Sequence, residues 1–162
     1  MWRWLQNYPH FLERAYRLTH RLWVWLDPVV RWMGYRRVDG WLRPLEAISK
    51  RAVFDCQMCG QCVLHSTGMT CPMTCPKNLR NGPCGGVRSN GHCEVIPEMK
   101  CIWVEAYERS QQMPDFGQEM LLIQPPLNRQ LDGSSAWINL LTQEDQKTPP
   151  GWISLQNIKI KK

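Results

Sequence analysis

The 162-residue sequence lacks long apolar runs. No stretch approaches the roughly 20 apolar residues that a membrane-spanning helix needs. A secretory signal is also missing, because Arg3, Pro9, Glu13, Arg14 and Arg17 interrupt the N-terminal apolar residues and no small-residue cleavage site follows. We therefore expect a cytoplasmic protein, whose thiols stay reduced.

The common catalytic and nucleotide-binding motifs are missing as well. The sequence has no G-x-G-x-x-G, no Walker loop, no G-x-S-x-G and no H-E-x-x-H. Its length and composition do not suit a barrel or doubly wound sheet that would hold a flavin or a nicotinamide. We expect the substrate chemistry to take place on another chain, so this chain is not predicted to be catalytic alone.

Large aliphatic residues are scarce in the middle of the chain, where cysteine is abundant. All eight cysteines lie between residues 56 and 101, among many glycines, prolines and polar residues. Metal ligation or disulfides can stabilise such a loop-rich segment in place of buried apolar area. In a reducing compartment metal ligation is the favoured interpretation, and disulfides are the minor alternative.

The spacing of the cysteines favours iron over zinc. A C-x2-C-x2-C hook surrounds one face of a 4Fe-4S cluster, and a remote cysteine that precedes proline commonly supplies the fourth thiolate. Zinc is the alternative, because C-x2-C hooks also build four-thiolate zinc sites, although these usually contribute ligands in pairs. Eight thiolates suffice for two clusters. The predicted ligands are Cys56, Cys59, Cys62, Cys71, Cys75 (followed by Pro76), Cys84, Cys93 and Cys101.

Three glycines surround Cys84 in the segment NGPCGG. Gly82, Gly85 and Gly86 have no side chain, so the backbone can approach a cluster closely and direct N–H groups toward it. We predict that they contribute to cofactor binding, with ordinary turn chemistry as the alternative. With eight cysteines available, we interpret His65 and His92 as surface or hydrogen-bonding residues.

Helical periodicity dominates the N-terminal third. The apolar pattern predicts a helix over residues 8–26, a second that opens at Asp27-Pro28, and a third that opens at Arg43-Pro44 and runs toward residue 54. Another helix is predicted from Pro97, with Cys101 on it. The fold class is therefore mostly α, with a loop-rich, cysteine-rich metal-binding core and an extended C-terminal tail.

These patterns divide the chain into three regions. Residues 1–54 form a basic, Trp-rich helical docking region, residues 55–112 a cysteine-rich metal-cluster domain, and residues 113–162 an extended, proline-containing tail. The tail cannot build its own core, so we expect it to wrap over the domain or a partner, or to be partly disordered. Its predicted anchor points are Trp137, Ile138, Leu140 and Trp152.

Positive charge and tryptophan are concentrated at the N-terminal end. The net charge is +6, and through residue 51 there are ten Lys and Arg against four Asp and Glu. Three interpretations of the Trp surface are open: ordinary core, a docking surface for a partner protein, and, ranked last, contact with a membrane surface. No nucleic-acid partner is expected, because basic residues are not interleaved with the cysteine hooks. The six tryptophans of the N-terminal region are Trp2, Trp4, Trp23, Trp25, Trp32 and Trp41.

Four segments within residues 54–110 occur in a specific order: DCQMCGQC, CPMTCPK, RNGPCGG and CEV, followed by the aromatic segment around Cys101. In these segments the sequence resembles the C-terminal domain family associated with methylenetetrahydrofolate reductase, best known as the small partner subunit of the acetogen-type enzyme. Residues 125–139 are similar to the family more weakly.

The resemblance implies a hetero-oligomer with a flavin-bearing TIM-barrel subunit that reduces methylenetetrahydrofolate to methyltetrahydrofolate. It also implies that the small subunit relays electrons through iron–sulfur clusters on the cysteines named above, with zinc in some members. The flavin belongs to the partner subunit and not to this chain. The alternative is a zinc-stabilised assembly subunit of the same type of complex, without electron transfer.

Overall fold

The computed structural model describes residues 3–82, 84–147 and 151. Four α-helices occur in these ranges: α1 (Pro9–Met33), α2 (Tyr35–Phe54), α3 (Ile102–Ser110) and α4 (Ala136–Thr142). Short 3-10 turns connect them, and the same ranges contain no β-strand, only the isolated bridges Val87–Cys93 and His92–Lys100. The predicted mostly helical fold with a loop-rich cysteine core is confirmed.

The predicted helix starts at Asp27-Pro28 and Arg43-Pro44 are wrong, because both prolines lie inside longer helices. The Asp27 carboxylate does not cap a new helix. It accepts hydrogen bonds from Arg31 Nη2 (2.9 Å) and Tyr35 Oη (2.7 Å). Pro28 and Pro44 are exposed, so the carbonyls that they leave without an N–H partner lie on the solvent side, where water can bind them.

The chain turns between α1 and α2 at Gly34. Its φ of +87° is a left-handed conformation that glycine adopts without a steric penalty, and it folds the two long helices into a hairpin. The 3-10 turn Arg3–Asn7 closes the open end of the hairpin, because the Gln6 amide donates to the backbone carbonyl of Val53. The hairpin then supplies one wall of the cysteine core.

The predicted helix from Pro97 is wrong in its start. α3 begins at Ile102, and Cys101 precedes it in an extended conformation. The backbone N–H of Cys101 donates to the Gly91 carbonyl (3.0 Å), and that of Cys93 donates to the Met99 carbonyl (2.9 Å). This short pairing holds residues 97–100 in a turn, so the helix can begin only after Cys101.

The tail folds back over the cysteine loop. The Asn139 amide donates to the Gly60 carbonyl (2.8 Å), and the Gly133 N–H donates to the Met58 carbonyl (2.7 Å). Ile138 is buried, and Trp137 stacks on Trp23 with ring centroids 6.4 Å apart. The tail therefore wraps over its own domain as far as residue 147, whereas the predicted anchor at Trp152 lies outside the described residues.

Glu13 fixes α1 to the segment after α3. Its side chain is fully buried, and Oε1 accepts hydrogen bonds from the backbone N–H groups of Asp115 (3.0 Å) and Phe116 (2.6 Å). We predict that Glu13→Ala lowers the free energy of unfolding by about 2–4 kcal/mol, because two buried donors lose their acceptor. Denaturant unfolding followed by circular dichroism measures this.

Two further variants serve as controls for the Glu13 prediction. Glu13→Gln keeps an acceptor oxygen and should recover most of the loss. The neighbouring Arg14→Ala, on an exposed position, should stay within about 0.5 kcal/mol of the parent protein. Equal destabilisation by Glu13→Ala and Arg14→Ala would contradict the assigned role.

Candidate metal centre

Four of the eight cysteines line one cavity directly after α2. These are Cys56, Cys59, Cys62 and Cys71. The loop curls tightly because Asp55, Met58 and Gly60 all have positive φ, at 57°, 52° and 72°. The three hook thiols are thereby turned toward the same space, and Cys71 reaches it from the start of the 3-10 turn Pro72–Thr74.

The thiols in this cavity interact with one another. The Cys71 thiol donates a hydrogen bond to Cys56 and lowers the pKa of Cys56 to about 6, while the same bond together with burial raises the pKa of Cys71. The Met58 N–H also donates to Cys56 Sγ (3.4 Å). Burial raises the pKa of Cys59, whose thiol donates to the Gln61 carbonyl (3.6 Å). Cys56 and Cys71 are thus in contact, and Cys59 and Cys62 line the same cavity.

Two buried cations border the same cavity. Lys50, on the last turns of α2, lies with its ammonium 4.9 Å from the Trp137 ring centroid and donates to Glu46 Oε1 (2.5 Å). Burial acts to lower the pKa of Lys50, but electrostatic attraction to Cys62 and Glu46 outweighs it, and the pKa is raised. Lys50 is therefore a permanent positive charge beside the thiols.

Arg80 approaches from the other side of the hook. Its Nη1 donates to the Gln61 carbonyl (3.0 Å) and its Nε to the Pro125 carbonyl (2.7 Å). Burial lowers the pKa of Arg80, opposed by attraction to Cys59 and Cys62, and guanidinium groups stay protonated in proteins. The sequence analysis did not predict that either cation borders the cysteines. The i,i+4 spacing of Glu46 and Lys50 just before the hook could have indicated Lys50, whereas no sequence pattern near Arg80 indicates its position.

Gln61 joins the hook to the tail. Its side chain is buried, with Nε2 donating to the Asp145 carbonyl (2.8 Å) and Oε1 accepting from the Asn128 N–H (2.6 Å). Glu46 makes a similar link, because its Oε2 accepts from Ser135 Oγ (2.5 Å). The tail is thus hydrogen-bonded both to the cysteine loop, through Gln61, and to α2, through Glu46.

A second group of cysteines lies around α3. Cys84 packs against the buried cluster of Cys101 and Trp103, and Cys93 lies on the strand-like segment that pairs with residues 99–101. The structure therefore brings Cys84, Cys93 and Cys101 into one neighbourhood, distinct from the cavity at the hook. Cys75 is buried at the end of the 3-10 turn Pro72–Thr74.

A protein-family profile described as "Methylene-tetrahydrofolate reductase C terminal" matches residues 35–130. The matched range exceeds half of the 162 residues and includes all eight cysteines. The chain belongs to this family. The predicted family resemblance is thus confirmed, and within the family range lie α2, both cysteine groups and α3, whereas α1 and α4 lie outside it. No curated protein and no solved structure matches the chain.

The donor set of this family member fits a thiolate-bound metal group. All eight cysteines are free thiols. Across residues 3–82, 84–147 and 151, no group of three or more Cys, His, Asp or Glu side chains is arranged as a site for a single metal ion. The hook cavity nevertheless combines four thiols with Lys50 and Arg80, and buried positive charge stabilises the negative charge of thiolate ligands. Cys56, Cys59, Cys62 and Cys71 would hold the group.

The two histidines near the cysteines make hydrogen bonds. His65 Nδ1 lies 2.8 Å from Ser66 Oγ, and its ring packs against Tyr16 and Phe116. His92 Nδ1 lies 2.7 Å from the Pro97 carbonyl oxygen. Neither residue lines the hook cavity. Of the helices in the described part of the chain, none is both long and apolar enough to cross a bilayer.

The three glycines near Cys84 differ in their surroundings. The Gly86 N–H donates to Cys84 Sγ (3.4 Å), which is the kind of contact predicted for this segment. A Cβ on Gly82 would lie 2.3 Å from Trp103 Cδ2, whereas a Cβ on Gly85 would meet nothing within 4 Å. Gly82 thus has a packing role beside the second cysteine group, because a side chain there would displace a buried indole.

We predict that Gly82→Ala lowers the free energy of unfolding by about 1–3 kcal/mol, because the added methyl group overpacks the site against Trp103. Gly85→Ala is the matched control and should change stability by less than about 0.5 kcal/mol. Thermal or denaturant unfolding of protein purified without air gives both values. Equal losses in the two variants would show that contact with Trp103 is not the cause.

Proposed function

We propose that the chain is a non-catalytic iron–sulfur subunit that transfers electrons to a flavin-dependent methylenetetrahydrofolate reductase subunit. The observation that carries the proposal is the hook cavity, where Cys56, Cys59, Cys62 and Cys71 lie between the buried cations Lys50 and Arg80. Membership of the reductase-associated family supports a role beside a methylenetetrahydrofolate reductase. A bound 4Fe-4S cluster would supply one-electron transfer.

Charge balance supports iron–sulfur ligation at the hook. Four thiolates around a cluster carry net negative charge, and buried negative charge is costly unless opposite charges or hydrogen bonds compensate it. Lys50 and Arg80 supply positive charge from two sides, and the Met58 N–H donates to a ligand sulfur. The cavity is therefore suited to a charged thiolate cluster.

We extend the proposal to a second cluster on Cys75, Cys84, Cys93 and Cys101. Three of these thiols share a neighbourhood around α3, and the Gly86 N–H donates to one of them. Amide donors to ligand sulfurs raise reduction potentials, and each proposed cluster has one, from Met58 at the hook and from Gly86 here. Two clusters would form a relay within one small chain.

The proposed complex places the substrate chemistry on its partner. The chain has none of the usual flavin or nicotinamide motifs, so it would deliver electrons to the flavin of a TIM-barrel reductase subunit. We propose that this hetero-oligomer works in the cytoplasm. The family name supports the pairing with a reductase, and a mixture of the two subunits tests it directly by co-elution and by electron transfer to the flavin.

A zinc-stabilised assembly subunit is the second candidate. The links from Gln61, Glu46 and Asn139 make the hook a junction of α2, loop and tail, which is where a structural zinc ion would act as a crosslink. Elemental analysis of protein purified without air separates the candidates. Iron with broad visible absorption supports electron transfer, and zinc alone supports the structural role.

Cys59→Ser should remove a ligand of the hook cluster. We predict that protein purified without air loses about half of its iron and of its visible absorption, because only the second cluster remains. The matched control is Gln57→Ala, an exposed position in the same loop, which should keep its iron content. Unchanged iron content in Cys59→Ser would contradict the assignment of the hook as a ligand set.

Lys50→Met should lower the reduction potential of the hook cluster. Reduction adds negative charge, so loss of a nearby buried cation disfavours it, by roughly 50–100 mV. A redox titration followed by electron paramagnetic resonance measures the shift. Lys147→Met removes the same charge from an exposed position and should shift the potential little. Equal shifts would mean that Lys50 does not act through proximity.

A further inference from the structure

One face of α1 carries an exposed apolar stripe. Its members alternate at spacings of four and three residues, and all of them are exposed, with Trp25 at 74% and Trp32 at 88%. The average spacing of 3.5 residues is the repeat of a helix–helix seam. The α1 stripe consists of Phe11, Ala15, Leu18, Leu22, Trp25, Val29 and Trp32.

α2 carries a shorter stripe of the same repeat. Trp41 is 83% exposed, and Leu45 and Ile48 are also exposed. Next to the Gly34 turn, Trp32 and Trp41 line one groove, so the two stripes meet there on the same side of the hairpin. The α2 stripe consists of Val38, Trp41, Leu45, Ile48 and Ala52.

The stripes face away from the rest of the domain. On α1, Leu12 and Val30 are buried, and each lies about 100° around the helix from the stripe. On α2, Glu46 and Lys50 are buried toward the cysteine hook. The hairpin thus has an inner face that packs against the domain and an outer apolar face that residues 3–82 and 84–147 leave exposed.

The charges beside the stripes are positive. Exposed arginines flank both stripes, and none of them forms an ion pair with a described residue. The acidic side chains of the hairpin are occupied within the chain: Glu13 by backbone N–H groups, Asp27 by Arg31, Asp39 by Arg43, and Glu46 by Lys50. The flanking arginines are Arg14, Arg21, Arg37 and Arg51.

We infer that the two stripes dock an acidic amphipathic helix of a partner protein. The 3.5-residue repeat fits a second helix that packs along the seam of the hairpin, and binding to a bilayer is the alternative that the test separates. The flanking arginines favour an occupant with Asp and Glu beside its apolar residues. They disfavour a second copy of this chain, because its stripes are flanked by the same positive charges. The inference goes beyond the proposed function and does not depend on which metal the cysteines hold.

A synthetic peptide tests the chemistry of the occupant. The probe is a three-heptad helix with Leu at a and d and Glu at e and g, labelled for fluorescence anisotropy and titrated with the full-length protein. The control peptide has Lys in place of Glu. We expect the acidic peptide to bind and to gain helical circular dichroism, while the Lys peptide does not bind, because the arginines repel it.

Matched variants of α1 locate the binding surface. Leu18→Glu places a charge in the α1 stripe and should weaken peptide binding by at least about tenfold, the cost expected of a central interface position. Val24→Glu makes the same kind of change on α1 outside the stripe, at a residue that is 53% exposed, and should change affinity by less than about twofold. Both variants should keep the helical circular dichroism of the parent protein, because both positions are exposed.

Four outcomes would overturn the inference. The first is failure of the acidic peptide to bind, and the second is equal weakening by Leu18→Glu and Val24→Glu. The third is stripe-dependent binding to phosphatidylglycerol vesicles without peptide binding, which would identify a lipid surface as the occupant. The fourth is self-association in sedimentation that Leu18→Glu abolishes, which would identify a second copy of this chain.

Discussion

The buried Lys50–Glu46 pair at the end of α2 is the interaction on which the rest of the structure depends. A buried ion pair is stable only when its remaining polar atoms find partners, because removing two charges from water costs several kcal/mol. Here Ser135 donates to Glu46, while the Trp137 ring and the nearby thiols surround Lys50. One pair therefore ties together the hairpin, the cysteine hook and the tail, and it faces the cavity that the thiols line.

The hook depends on this support because it has little regular structure of its own. Its three left-handed residues bend the chain tightly, and its backbone carbonyls would lack partners without the tail. Gly133 donates to the Met58 carbonyl and Asn139 to the Gly60 carbonyl, while Arg80 donates to the Gln61 carbonyl. The tail and Arg80 thus supply the hydrogen bonds that a regular helix or sheet would supply elsewhere, and these bonds hold a segment with few aliphatic residues.

Local patterns in the sequence predicted the helical class, the loop-rich core and the hook, because each depends on residues that are close in sequence. The extent of α1 and α2 was not predictable in this way. Pro28 and Pro44 usually indicate a helix start, but both lie on exposed helix positions where water can bind the unpaired carbonyls, so the helices continue through them. The displaced start of α3 had a similar origin in the pairing of Cys93 with Met99. Arg80 contacts the hook across 19 positions, and Gln61 contacts the tail across 84 positions. No local sequence pattern predicts either contact.

The excess positive charge of the N-terminal region separates into two populations with different physical roles. Lys50 points inward, where low dielectric makes its attraction to thiolates strong and insensitive to salt. The four exposed arginines point outward, where water and ions screen each charge. Only a negatively charged surface that covers them would be attracted to all four at once. They are Arg14, Arg21, Arg37 and Arg51. Because α2 carries the buried Lys50 as well as the exposed Arg37 and Arg51, a single helix connects the cysteine cavity to the outer apolar stripes. A partner helix seated on those stripes would therefore rest on the same element that positions Lys50 beside the hook.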